Sequence, residues 1–272
     1  MPQCAVPGAS IHYEQVGSGP EIVWVAGGGG LATDWVPYQL PFFKADFRNT
    51  IFDNRGIGKT TCDEPMPWPV ERFARDTAAL IEAVCEPPVS LVGISFGSAI
   101  VQQVAIDRPD LVRCAVVMGT GSRSTSWGWD YQKAEIDLRK AGGRLDGMFA
   151  VTHYAATLYP AKVLGDRELW PKLRDELAEW LASDANEESL IPQWESCLLY
   201  DQTELLPACM VPMHVIAFAE DVQAPPQDGE ELAAVAGNGH YHEFAGMGHG
   251  SIYGHTHDEM NAFIRKTIEK YL

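Results

Sequence analysis

Three short, nearly uninterrupted apolar runs restrict the fold of this chain more than any other feature. They are Val89–Ile94 (VSLVGI), Cys114–Met118 (CAVVM) and Met213–Ala219 (MHVIAFA). Each is too short for a buried helix and lacks the apolar–polar alternation of a strand with one wet face. Such runs are strands covered on both sides, the environment of a parallel sheet. Helical patterns lie between them. Pro69–Glu86 carries a stripe at Val70, Phe73, Thr77, Leu80, Ile81 and Val84, and Phe96–Asp107 stops before Pro109. Alternating strands and helices predict an α/β fold, a mostly parallel sheet flanked by helices.

Ile22–Ala26 (IVWVA), Asn49–Phe52 and His240–Phe244 add strands, and Asp228–Ala236 and Asp258–Tyr271 add helices. Thr256-His257-Asp258-Glu259 gives the last helix a capping-box spacing. Ser10–Val16 alternates sides, Gly17–Pro20 turns, and Ile22–Ala26 follows, which predicts a hairpin. From about Gly121 to Pro207 strand signals vanish. Helical segments take over at Glu135–Lys140, Gly147–Leu158, Asp166–Ser183 and Glu187–Leu206. The expected organisation is a core of residues 1–120 and 208–272 interrupted by a helical insertion, residues 121–207.

The formal charge of -17 repels phosphate backbones and anionic lipid headgroups, so no nucleic-acid partner and no membrane surface is expected. The first residues have neither a basic region nor an apolar stretch, and no run approaches the ~18 residues of a membrane span. Six scattered cysteines without a C-x-x-C pair fit free thiols in the cytoplasm.

Gly93-Ile94-Ser95-Phe96-Gly97 fits G-x-S-x-G and falls between a buried strand and a helix, where a sharp turn presents a nucleophilic serine. Such a serine needs a base, and the base an orienting carboxylate. Gly246-Met247-Gly248-His249-Gly250-Ser251 places His249 in a glycine-rich loop after the final strand. Asp221 follows the strand MHVIAFA on the same rim, with Glu220 as competitor, so the chain order is Ser95, Asp221, His249. Oxyanion donors are expected from the amides of Phe96 and of the Gly27–Gly30 run, by position Gly28, with Gly29 the alternative.

With these residues in place the chain resembles a serine α/β-hydrolase along nearly its whole length. The resemblance rests on "IHYEQVGSGP", "FDNRGIGKT", "LVGISFGSA" and "GMGHGS". Asp53-Asn54-Arg55-Gly56-Ile57-Gly58 is similar to the D-x-R-G-x-G loop of the esterases, lactonases and cofactor-free haloperoxidases of that superfamily. The resemblance implies an α/β-hydrolase fold, a cap between the sixth and seventh strands, and a Ser-His-Asp mechanism without a cofactor. Two departures stand out. Ala26-Gly27 replaces the usual His-Gly before the oxyanion residue, and Ser98 stands where Gly or Ala is common.

Other patterns fail on physical grounds. Gly27–Ala32 with Asp53 fits a dinucleotide fingerprint, but Pro37 and Pro41 fall where its long helix would run. Gly56-Ile57-Gly58-Lys59-Thr60 mimics a phosphate loop, with Asp53 where glycine is required. His240, His242, His249, His255 and His257 crowd the C-terminal quarter without a complete metal motif, so no metal is expected. The implied activity is hydrolysis of a carboxylic ester or lactone of a small, fairly apolar molecule through an acyl-enzyme on Ser95. Perhydrolysis, thioester or C–C cleavage by the same residues is the alternative, as is a slow-turnover ligand-binding protein. Trp127, Trp129, Phe149 and His153 are the substrate-contact candidates in the insertion, and oligomeric state is left open.

Overall fold

The computed structural model describes residues 2–182 and 187–272. In chain order the elements are β1 (Gln3–Val6), β2 (Ala9–Val16), β3 (Glu21–Val25), α1 (Leu40–Phe43), β4 (Arg48–Phe52), β5 (Thr61–Cys62), α2 (Val70–Val84), β6 (Val89–Ile94), α3 (Phe96–Asp107) and β7 (Val112–Met118). Five helices follow: α4 (Ser126–Lys140), α5 (Gly147–Leu158), α6 (Ala161–Leu164), α7 (Leu169–Ala182) and α8 (Glu187–Leu199). The chain then completes the sheet with β8 (Met213–Phe218), α9 (Pro226–Val235), β9 (Gly239–Phe244) and α10 (His257–Ile268). Ser183, the last residue of one expected helix, lies outside the described residues.

The strands form one sheet in the order β1-β2-β4-β3-β6-β7-β8-β9, with β5 on β2. From β4 to β9 every pairing is parallel; β1, β2 and β5 pair antiparallel. The expected hairpin of β2 with β3 is not formed. β4 lies between them and β2 instead pairs with β1, because β3 is bracketed by parallel partners on both sides. Within β3 alternate residues enter two cores, as a period of two requires. Val23 and Val25 join the side chains of α2 and α3, whereas Ile22 and Trp24 join those of α1 and α10. The sheet is therefore covered on both faces, which is why its central strands read as continuous apolar runs.

The chain leaves the sheet after β7 and returns beside its point of departure. Gln202 N–H donates to the Ser122 carbonyl at 2.9 Å, and Arg123 and Asp201 form a bridge. Of the five helices between these stems, α5, α6 and α7 share a small core of their own around Val151, Ala155 and Leu177. The expected capping box on α10 is absent. The Thr256 hydroxyl donates to the Ser251 carbonyl at 2.7 Å, tying the helix to the preceding loop instead of to its own first turn.

Candidate active site

Ser95 joins β6 to α3 with φ 53 and ψ −125, a conformation that costs an L-residue about 1–2 kcal/mol. Its surroundings impose that conformation. The Ser95 N–H donates to the Met118 carbonyl at 2.9 Å at the end of β7. A Cβ on residue 93 would lie 2.6 Å from the Gly97 carbonyl oxygen, and one on residue 97 would lie 2.2 Å from that of Val25. The turn closes only with glycine at both positions. Ser98, the unusual residue, also serves this joint: its hydroxyl donates to the Met118 carbonyl at 3.0 Å and accepts the Met118 N–H at 2.9 Å.

His249 follows β9 in a turn braced by Gly248 N–H to Ser251 Oγ at 2.7 Å and Gly250 N–H to the Leu158 carbonyl at 2.8 Å. Its Nδ1 stands 2.6 Å from Asp221 Oδ2. With a carboxylate as partner, Nδ1 holds the proton and Nε2 is left as the basic nitrogen. Asp221, buried just past β8, also accepts the Gln223 and Ala224 N–H groups on Oδ1, at 2.8 and 3.0 Å. Glu220, its competitor, is exposed. Sequence reasoning misses Gly119, directly after β7. A Cβ there would sit 3.1 Å from His249 Cε1 and Nδ1 and 3.2 Å from Asp221 Oδ2, so glycine leaves the pair undisturbed where a side chain would push against it. Its one signal is a glycine at the C-terminal end of a buried strand.

The Gly27–Leu31 loop is tied at both ends by the Asp53–Gly58 stretch. Asp53 Oδ1 accepts Ala32 N–H at 2.9 Å, and Asn54 Nδ2 donates to the Ala26 carbonyl at 3.2 Å. Arg55, buried, grips Asp76 of α2 through two hydrogen bonds at 2.7 and 2.9 Å. The loop leads into a short 3-10 turn, Ala32–Trp35, not into a long helix. Gly29 N–H donates to Gln193 Oε1 at 3.0 Å. Among the described residues no protein acceptor takes the amide of Gly28 or of Phe96. Asp34 accepts Leu31 N–H at 3.0 Å, and burial, reinforced by the charge of Asp53, pushes its carboxyl up to about 6.

Ser95, His249, Gly28 and Phe96 line one cavity of about 680 Å³, a size suited to a small organic molecule. Its helical wall includes Tyr131, Glu135, Tyr154, Tyr159, Trp180 and Trp194. The four aromatic candidates do not line it. Trp127, Trp129 and Phe149 are exposed, Phe149 at 67%. Trp127 stacks on Tyr131 with centroids 4.9 Å apart, and His153 stacks on the same ring at 5.6 Å, so Tyr131 meets the cavity and its neighbours face away. Glu135 accepts a hydrogen bond from the Tyr154 hydroxyl, and burial, partly offset by Arg139, raises its carboxyl to about 7. Asp34, Glu135, Glu176, Glu179 and Asp228 also reach the lining, against Arg123 as its one Lys or Arg among the described residues.

The remaining C-terminal histidines have other partners. His214 stacks between His240 and His242, and His255 Nε2 meets Ser251 Oγ at 3.0 Å. Among the described residues no group of three or more His, Cys, Asp or Glu is placed to hold a metal ion, and no helix is long and apolar enough to cross a membrane. All six cysteines are unpaired.

The profile of the alpha/beta hydrolase family matches residues 22–263. A Mycobacterium tuberculosis protein bearing the name non-heme bromoperoxidase BpoC is 33% identical over 246 residues, covering 88% of this chain and 90% of that one. A crystal structure of BpoC superposes with a TM-score of 0.86 at 29% identity, covering 96% and 94% of the two chains. A Stutzerimonas stutzeri protein named for carbamate hydrolysis, RutD, is 26% identical across 82% of this chain and 83% of its own. The enol-lactonase of Burkholderia xenovorans has the same fold, with a TM-score of 0.80 at 22% identity over 98% of both chains. A buried parallel sheet, a strained serine turn and a His–Asp pair on one rim thus accompany a match over most of the sequence: the chain belongs to the alpha/beta hydrolase family.

Proposed function

We propose that this hydrolase cleaves a carboxylic ester or lactone of a small, fairly apolar molecule through an acyl-enzyme on Ser95. The observation that carries the reading is the convergence of Ser95, in its strained turn, and His249, backed by Asp221, on one cavity. In this mechanism His249 Nε2 takes the Ser95 proton as Oγ attacks the carbonyl carbon. Asp221 holds the ring in that tautomer and stabilises the imidazolium. The amides of Gly28 and Phe96 receive the oxyanion. Gly29 is a poorer donor for this role because Gln193 already takes its N–H. Collapse of the tetrahedral intermediate passes the proton to the leaving alcohol, or to the ring-opened hydroxyl of a lactone. Water, deprotonated by His249, then releases the acid and returns the proton to Ser95.

Residues 121–207 act as a cap in this reading. The adjoining stems at Ser122 and Gln202 and the six aromatic and acidic residues over the cavity support that division. An acid-rich lining disfavours anionic substrates and suits neutral ones, without a cofactor. The six free thiols agree with a reducing cytoplasm.

Likeness to BpoC favours a second acceptor, hydrogen peroxide in place of water, giving a peracid from the same acyl-enzyme. Steady-state turnover of one acyl group carried on a series of alkyl and aryl alcohols, together with γ- and δ-lactones, with added methanol, tests the reading. A common acyl-enzyme gives the same ratio of methyl ester to acid whatever the leaving group. A ratio that varies with leaving group, or turnover equal to that of Ser95→Ala, overturns it. Peroxide that captures the acyl group more efficiently than methanol supports the second acceptor.

A further inference from the structure

Helix α8 reaches the Gly27–Leu31 loop with Leu190, Gln193 and Trp194, residues that share one helical face at spacings of three and four. Gln193 has no solvent exposure, and both ends of its side-chain amide are used. Oε1 accepts Gly29 N–H at 3.0 Å, and Nε2 donates to the Arg55 carbonyl at 2.9 Å. Beside it, a Cβ on Gly28 would meet the Trp194 ring at 3.1 Å, and one on Gly29 would meet Leu190 at 2.6 Å. The glycine loop is thus held between α8 on one side and the Asp53–Arg55 stretch on the other.

Four consecutive glycines have little conformational preference of their own. The turn they form is closed by Gly30 N–H, which donates to the Gly27 carbonyl at 3.0 Å, and it is anchored at Gly29 N–H by an acceptor that comes from the helical insertion. The Gly28 N–H lies in the Gly27–Gly28 peptide plane, which the Gly30 bond sets within the turn, so where it points relative to Ser95 depends on how the whole turn is seated. We propose that Gln193 is a positioning residue that couples the seating of α8 to assembly of the oxyanion hole. The inference rests on the acyl-enzyme reading of Ser95 given above. It makes the insertion part of the catalytic machinery: with α8 lifted away, the serine and histidine remain in place while one oxyanion donor loses its orientation.

Three variants separate this role from simple packing. Gln193→Met keeps length and loses both hydrogen bonds, Gln193→Asn keeps the amide but is too short to span both partners, and Gln193→Glu keeps the acceptor for Gly29. Rates are taken per active site titrated with a fluorophosphonate, so that misfolded protein does not count. Losing a full oxyanion donor costs about 100–1000-fold in kcat, so a misoriented one costs roughly 10–100-fold in Gln193→Met, with KM within about threefold of the parent. Gln193→Glu recovers part of that loss, and Gln193→Asn, the milder change, stands in should Gln193→Met not fold. Affinity for an aryl trifluoromethyl ketone, whose hemiketal oxygen uses the same amides, falls in step with kcat/KM across the series. A kcat per titrated site within twofold of the parent in Gln193→Met or Gln193→Asn, or a loss confined to KM, overturns the coupling. A parent that neither turns over esters nor reacts at Ser95 overturns the underlying reading instead.

Discussion

Replacing Gly119 by alanine adds one methyl group against the back of the His249–Asp221 pair, and its two costs can be measured apart. Gly119 holds φ +54, and an L-residue pays about 1–2 kcal/mol for left-handed backbone whatever its neighbours, roughly 2–6 °C in Tm for a chain of this size. The second cost is steric. The new Cβ would stand 3.1 Å from His249 Cε1 and Nδ1 and 3.2 Å from Asp221 Oδ2, so the imidazole or the carboxylate must retreat by a few tenths of an ångström. A misplacement of about 1 Å costs about 100-fold in rate, which puts the loss in kcat at roughly 5–50-fold. Gly142→Ala is the control. Gly142 has φ +78, and a methyl group there would meet nothing within 4 Å, so it pays the backbone cost alone. Ester hydrolysis and thermal unfolding are measured on both variants. The two should lose similar stability, and only Gly119→Ala should lose rate. Equal kcat in the two refutes the argument that the His249–Asp221 contact sets the rate.

Asp221→Asn should lower kcat by about 1000–10,000-fold, whereas Glu220→Gln, on an exposed carboxylate, should stay within twofold; the reverse ranking in the same ester assay would overturn the acid assignment. Trp194→Ala should raise KM for bulky acyl esters by about 10-fold while Phe149→Ala leaves it unchanged, because only Trp194 lines the cavity. An equal effect of both variants would mean that the substrate also uses the outer face of the helices. Stability should fall in acid through His214. Burial, with His240, His242 and Lys270 nearby, lowers its imidazole from 6.5 to about 3, while the unfolded chain protonates at the ordinary value. The group therefore contributes fully above pH 6.5 and loses that contribution as pH falls towards 3, about 5 kcal/mol at most and on the order of 3 kcal/mol once solvent screening is allowed for. Urea unfolding of the parent and His214→Phe between pH 7 and pH 4 checks this, and parallel pH profiles would contradict it.

What can be read from the sequence is what local chemistry decides. VSLVGI-S-FG specifies strand, turn and helix within a dozen residues, and the two glycines that permit the turn are the ones a Cβ would clash with. His249 and Asp221 are legible because each follows a strand on the same rim. The β2–β3 hairpin is misread because succession in the chain does not set adjacency in the sheet: β4, contributed later, pairs between them. The insertion is least legible. Trp127 and Tyr131 are four residues apart on α4 and stack on one another, yet what lies across from the helix sends one ring to solvent and the other to the cavity. Gln193 leaves no motif at all, since its partners Gly29 and Arg55 lie 164 and 138 residues away in the chain.

The most direct test of the central claim is the mass of the intact protein after reaction with a fluorophosphonate, followed by peptide mapping. One adduct per chain is expected, located on Ser95, with ester turnover lost in proportion to labelling and neither labelling nor turnover in folded Ser95→Ala. A folded parent that stays unlabelled, or a Ser95→Ala variant that still turns over esters, would contradict it.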